Sequence, residues 1–308
     1  MFVVCGESLM DVYDAGRTAT GLQLDARIGG SPFNVAVGLA RLARPSAFLG
    51  AVSTDGFGER LMQALQEEGV DTALVRRTDA PTTLSIVGLD AQGVPRYAFH
   101  GQRGADRQLA VDQLPVLPDA VKVLHFGSYA MVVEPVGVAQ RALAARERDR
   151  RVIAYDPNVR LNVEPDVSVW QGVVDEMARL AHLLKISAED LELLYPGRAP
   201  ATMAERWLGE GVRLVVVTHG AEGSEAWSRE AHMAVEAKPV ALADTVGAGD
   251  SYEAALMTWL DEAGRMTDTG LATLPADPMR DALQFATRAA AITCSRRGAD
   301  LPRRTELS

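Results

Sequence analysis

The segment Asp244-Thr245-Val246-Gly247-Ala248-Gly249-Asp250-Ser251 places a carboxylate among small residues, just ahead of an apolar stretch over 254–260. Small residues at a helix entrance leave backbone N–H groups free to bind an anion. A bare carboxylate there would repel phosphate. Asp250 makes chemical sense as a general base that takes a proton from an attacking hydroxyl. It makes equal sense as a helix cap that complements the dipole. No Gly-Lys-Ser/Thr occurs in the chain, so this is not a Walker A loop. Tyr252 stands where Gly-x-Gly-x-x-Gly needs its third glycine, so it is not a dinucleotide fingerprint either.

A second segment, Gly29-Gly30-Ser31-Pro32-Phe33-Asn34, also leads into a helical pattern. Paired glycines permit positive φ and close backbone approach. Asn34 offers a donor and an acceptor to a polar ligand. A tight turn capped by Asn34 is the structural alternative.

These segments must be carried by regular elements. Periodicity predicts helices over 34–43, 57–68, 135–148, 249–260 and 278–295. It predicts strands over 2–5, 121–126, 151–155 and 213–218. Repeated β-then-α predicts a mostly parallel sheet with helices on both faces. Two stretches, 12–28 and 82–100, carry no helical pattern. Within the second, 83–89 and 96–99 are rich in β-formers and flank the turn-like Asp90-Ala91-Gln92-Gly93. Extra strands outside the main sheet, forming a small lid, are expected there.

The whole chain sets bounds on these readings. It has 308 residues, 47% hydrophobic and 23% charged, which excludes a disordered, collagenous or disulfide-framework protein. Acidic residues number 41 and basic residues 31, a formal charge of −10. Such a chain repels nucleic acid and anionic lipid unless it builds a local basic groove. The densest arginine run, Arg146, Arg148, Arg150 and Arg151, alternates with Glu147 and Asp149 and reads as a solvated helix end. Cys5 and Cys294 sit in apolar runs and read as small buried hydrophobes. With no signal-peptide pattern and no apolar run of ~20 residues, a cytoplasmic protein without membrane or nucleic-acid partners is expected.

Together, in this order and at this separation, the two glycine-rich segments resemble the signatures of ribokinase-like (PfkB-type) sugar kinases. The resemblance extends over nearly the whole chain. It implies an α/β, three-layer ribokinase-like fold: a mostly parallel central sheet flanked by helices, plus a small β-strand lid. The expected organisation is one kinase domain over 1–308, with the lid inserted at about 12–30 and 80–106. It implies ATP and Mg2+, with Asp250 as the base and the amides of Gly247, Ala248 and Gly249 as the anion hole. On the same resemblance Asp11, Gly29, Gly30, Asn34, Phe99, Arg103 and Arg160 would meet the sugar. Lys185, Thr218, Gly220, Gly223, Asn158 and Thr287 would meet the nucleotide.

The family's Asn-x-x-Glu magnesium segment matches here at Ser187 and Asp190, a departure from the pattern. Asp190, acting through water, is the expected magnesium residue, and Glu189 is its rival. Asp244 and the Gly298 region would hold a monovalent cation such as K+. Glu253, one turn beyond Asp250, stands where relatives usually carry a small or apolar residue. It either raises the proton affinity of Asp250 or points to solvent.

The segments around Asp11, Tyr97–Arg107, Asp156–Arg160 and Ser295–Ala299 look most like the fructokinase branch, so fructose to fructose 6-phosphate is the expected reaction. His100-Gly101-Gln102 departs from that branch where the lid would touch the sugar. The rival substrate is 2-keto-3-deoxygluconate, whose carboxylate needs a cation such as Arg103 or Arg160. A nucleoside is disfavoured because only Phe33 and Phe99 offer aromatic surface. A reading from another class is a catalytically inactive sugar- or nucleotide-binding regulator; the intact Asp250 and glycines argue against it. Homodimerisation through the lid is a further expectation of the family.

Overall fold

The structure, a computed structural model, describes residues 1–89 and 95–307, and the turn expected over 90–93 lies outside the described residues. The chain opens with β1 (Phe2–Cys5), β2 (Leu9–Arg17), β3 (Leu22–Gly29), α1 (Ser31–Arg41), β4 (Ser46–Leu49), β5 (Ala51–Ser53), α2 (Gly56–Glu67) and β6 (Arg76–Thr78). Next come β7 (Leu84–Leu89), β8 (Pro95–His100), β9 (Val123–Gly127), α3 (Val136–Glu147), β10 (Val152–Asp156), α4 (Val167–Ala178) and β11 (Leu183–Ser187). The chain continues through α5 (Ala188–Leu194), α6 (Pro200–Glu210), β12 (Leu214–Thr218), β13 (Ser224–Trp227) and β14 (His232–Val235). It ends on α7 (Ala248–Glu262), α8 (Asp268–Ala272) and α9 (Ala276–Cys294).

Among the described residues the main sheet has eight strands, ordered β14-β13-β12-β11-β10-β9-β1-β4. The six from β12 to β4 run parallel, and β13 and β14 turn back antiparallel at one edge. The parallel strands are apolar on both faces because helices cover both. Val3 and Cys5 pack with Leu143, Trp170 and Trp207 on the side of α3, α4 and α6. Phe2 and Val4 point the other way, onto Leu39, Leu61, Leu256 and Leu283 of α1, α2, α7 and α9. This alternation along one strand yields the three layers.

The second layer face carries a departure from apolar character. Val123, Ala154 and Leu183 lie on the α7 side, and two residues further along the same strands come His125, Asp156 and Lys185. Polar groups thus gather where the parallel strands end, the edge at which open α/β sheets hold ligands.

The two stretches without helical pattern pair with each other. They form a four-stranded sheet of order β3-β2-β7-β8, with β2 parallel to β7 and the other pairs antiparallel.

Several expectations need adjustment. The helix expected over 34–43 begins at Ser31, because Pro32 is welcome in a first turn that needs no N–H from it. Cys5 is buried but Cys294 is only partly so. The arginine run is not simply solvated: Arg151 is buried, forms an ion pair with Glu147, and donates to the carbonyls of Leu117, Pro118 and Val121. The carbonyls of the 117–121 segment, closing over the helix end, draw that guanidinium inward.

Candidate active site

A cavity of about 500 Å³ opens at the ends of the parallel strands, between the main sheet and the smaller one. Asp250, in the first turn of α7, lies in its wall and is 8% exposed. Its Oδ1 accepts from Ser31 Oγ at 2.6 Å and its Oδ2 from Asn34 Nδ2 at 2.8 Å. The N-cap positions are Gly30 for α1 and Gly247 for α7, so neither Asn34 nor Asp250 serves as a cap. The two glycine-rich segments instead meet through these side chains. Burial pushes the Asp250 carboxyl above its ordinary range, partly offset by Ser31, Asn34 and the charges of Lys185 and Arg160.

Gly247 sits in the left-handed region at φ 78°, and a side chain there would strike Ala299. Gly247 and Gly249 line the cavity, while the Ala248 amide donates to Thr245 O at 3.2 Å. A Cβ on Gly249 would lie 3.3 Å from Lys185 Nζ. Lys185 is buried and donates to Asp156 Oδ2 at 2.7 Å. Desolvation disfavours its charge, but Asp156, Glu253 and Asp250 outweigh this and raise its proton affinity.

The smaller sheet forms the opposite wall. Asp11, Ser85 and Phe99 are register partners across β2, β7 and β8, so one face presents all three to the cavity. Gly29 pairs with Leu9 at the base of that sheet, and a Cβ on it would fall 2.3 Å from Asp11 Oδ2. Glycine at 29 is therefore what lets the Asp11 carboxylate occupy its place. Burial raises the proton affinity of Asp11, partly offset by neighbouring Ser85 and the charge of Arg160. Phe99 packs edge-on against Tyr129, with centroids 5.9 Å apart.

Other expected residues divide. Gly30, Asn158 and Arg160 line the cavity, Asn158 with φ 41°. Arg103 is exposed and is not among the lining residues, whereas Arg160 and Lys185 are. Glu189 lines the cavity, whereas Asp190 Oδ2 accepts from the Val159 amide at 3.3 Å and steadies the loop beside it. Asp244 accepts from the amides of Gly298 and Val246, at 2.8 and 3.1 Å. Desolvation works against its charge, but these amides prevail and hold its carboxyl below the usual range. Glu253 points neither to solvent nor into the cavity: it is fully buried against His125.

Thr287 lines a separate cavity of about 700 Å³ with Phe285, Arg288, Val240 and Trp259. Its buried hydroxyl has no hydrogen-bond partner among the described residues. Thr218 ends β12 and Gly220 and Gly223 follow it, but none of the three lines either cavity. A Cβ on Gly223 would lie 2.0 Å from Val235 O, so its own hairpin requires that glycine.

Sequence reasoning missed Glu7, Ser128, Tyr129 and Asp156 as cavity residues. Burial raises the Glu7 carboxyl to about 8, despite a hydrogen bond from Ser128. Glu7 follows β1 by two residues and Asp156 ends β10, each within a few residues of an expected site residue, Asp11 and Asn158. Ser128 and Tyr129 carry no signature and enter by packing alone.

The model of the pfkB family carbohydrate kinases matches residues 1–306. The chain belongs to the pfkB family of carbohydrate kinases. It is thus an ATP-dependent sugar kinase with a ribokinase-like fold. A fructokinase of Rhizobium leguminosarum bv. trifolii is 33% identical over 281 residues, 91% of this kinase and 86% of the relative. A Vibrio cholerae O395 fructokinase in fructose-, ADP- and calcium-bound form superposes with a TM-score of 0.84 at 27% identity, covering 99% of this kinase and 97% of that chain. A Xylella fastidiosa fructokinase with bound ATP shares the fold, at TM-score 0.88, 24% identity and 99% and 96% coverage. No helix among the described residues is long and apolar enough to cross a membrane.

Proposed function

We propose that this kinase transfers the γ-phosphoryl group of ATP to the primary hydroxyl of fructose, giving fructose 6-phosphate. The observation that carries this reading is the cavity's wall of carboxyl groups. Glu7, Asp11, Asp156 and Asp250 line it, with Arg160 at the rim and Lys185 already paired. Such a wall suits the many hydroxyls of a neutral sugar. It disfavours a sugar acid such as 2-keto-3-deoxygluconate, for which Arg160 is the arginine in a lining dominated by carboxyl groups. The fructokinase relatives support the same choice.

In this reading Asp11 and Asn34 orient the sugar and Phe99 covers one face of it. Asp250 takes the proton of the attacking hydroxyl; Ser31 and Asn34 hold its carboxylate in line meanwhile. The amides of Gly247 and Gly249, with Lys185 beside them, receive the charge that develops on the phosphoryl oxygens. The smaller sheet acts as a lid that excludes water from the transfer.

In this reading the Thr287 cavity would take the adenine end of ATP, and Thr218 and Gly220, outside both cavities, would lie along its phosphates. A magnesium ion here would be held largely by water and phosphate oxygens. Glu189 would hold it, with Asp190 steadying the loop, and it would neutralise charge on the phosphates. Potassium would sit where the loops of Asp244 and Gly298 meet. We place the protein in the cytoplasm, as a homodimer that covers Leu22, Leu24 and Ile86 of the smaller sheet, exposed at 61%, 55% and 37%.

The deciding experiment is a coupled ADP-release assay with ATP and Mg2+ on fructose, 2-keto-3-deoxygluconate, ribose, glucose and adenosine. Turnover on fructose above the others supports the proposal. Preference for the sugar acid overturns it and gives Arg160 the role of carboxylate clamp.

A further inference from the structure

A buried carboxyl group stands at the root of the smaller sheet, and the mechanism above leaves it idle. Asp106 lies in a single 3-10 turn, Ala105–Arg107, where the chain returns from β8. It is 1% exposed and is not among the residues lining the cavity. Its Oδ1 accepts from the Thr83 hydroxyl, and its Oδ2 accepts from the Tyr129 hydroxyl at 2.9 Å. Thr83 and Tyr129 are equally buried.

These side chains come from different parts of the fold. Thr83 precedes β7, and its carbonyl accepts from the Met10 amide of β2 at 3.1 Å, one residue before Asp11. Tyr129 follows β9 of the main sheet and lines the cavity. One carboxyl group therefore ties the root of the smaller sheet to the end of the larger one. The chain clears room for it: a Cβ on Gly104 would lie 2.0 Å from Thr83 Oγ1 and 2.6 Å from Asp106 Oδ1. An ionised carboxylate only accepts, which suits two hydroxyl donors. Burial raises its proton affinity, partly offset by those hydroxyls and by Arg107. The Tyr129 ring carries the arrangement into the cavity. Phe99 meets that ring edge-on at 77°, and the Arg107 guanidinium lies 5.6 Å from its centroid.

We propose that Asp106 is a positioning residue for the sugar: by binding the Thr83 and Tyr129 hydroxyls together, it holds the Phe99–Tyr129 corner of the cavity where the sugar packs. The inference rests on the kinase reading of the cavity. It assigns no substrate contact to Asp106, which acts through Tyr129 and Thr83.

The test is a double-mutant cycle of Asp106→Ala and Tyr129→Phe, assayed with ATP, Mg2+ and the sugar of the panel above that turns over. Thermal melting checks folding of each variant. Tyr129→Phe keeps the ring and removes one hydrogen bond, so it carries the test if Asp106→Ala does not fold. The expected result for Asp106→Ala is a rise in sugar KM of roughly ten- to a hundredfold, with ATP KM unchanged. The double variant then loses no more than Asp106→Ala alone. Asp106→Asn still accepts from one hydroxyl and can donate to the other, so its sugar KM falls between those of the wild type and the alanine variant. Folded variants with wild-type sugar KM overturn the proposal, whatever their melting temperatures. A rise in ATP KM that matches the rise in sugar KM overturns it too, and so do additive losses in the cycle. A wild-type protein silent on every sugar removes the kinase reading itself, a result distinct from any of these.

Discussion

Asn34 of α1 donates its side-chain amide to Asp250 of α7 at 2.8 Å, across 216 positions of sequence. This hydrogen bond joins the two glycine-rich segments into one site. It also favours the ionised form of Asp250, because a donor to a carboxylate stabilises its charge. Burial raises the Asp250 carboxyl, and Ser31 and Asn34 pull it back.

Asn34→Ala removes one of these two opposing donors. The carboxyl then rises further, so Asp250 stays protonated to higher pH and is unavailable as a base there. The acid limb of the kcat/KM profile is expected to move to higher pH. Initial rates across the pH range check this, and an acid limb that stays put or moves down contradicts it.

Asp250→Asn keeps the shape of the side chain and removes its proton affinity. Turnover should fall by roughly 10²–10⁴-fold while sugar binding persists. Calorimetry on the folded variant, beside its turnover, gives both numbers. Near wild-type turnover would remove Asp250 from the role of base.

Asp11→Ala opens the wall formed by the smaller sheet and should raise sugar KM with less effect on kcat. Gly29→Ala should do the same from a distance, because its Cβ would lie 2.3 Å from the Asp11 carboxylate. Equal KM values for both variants and the wild type would count against Asp11 as a sugar ligand.

Arg151→Met tests the fold rather than the site. It leaves the buried Glu147 carboxylate with Arg146 alone and frees the carbonyls that Arg151 satisfies. The expected loss is about 3–5 kcal/mol of stability, read from denaturant unfolding. A loss below 1 kcal/mol would mean that water replaces the guanidinium there.

A homodimer through the smaller sheet is checked by sedimentation. Leu24→Asp places a charge on the exposed apolar face and should shift the protein toward monomer. An unchanged sedimentation coefficient would place any dimer contact elsewhere.

Local patterning went a long way in this chain. The apolar run at 2–5 is β1 as expected, and the alternating β and α elements become the parallel sheet. Asp250, Gly249 and Asp11 were legible because their neighbours in sequence carry the signal. Arg103 was misplaced because a charged loop residue has no pattern that tells inside from outside. Glu7, Ser128 and Tyr129 were missed because their neighbours in space lie far along the chain.

The sequence by itself determined the strand and helix order, the acidic charge and the two glycine-rich turns. Those depend on side-chain period and on backbone freedom within a few residues. Only the tertiary structure decided that Asn34 serves Asp250 instead of a helix cap, that Glu253 faces His125, and that Asp11, Ser85 and Phe99 share one wall. These relations depend on which faces pack together, and burial sets the price of each unpaired charge only once that packing exists.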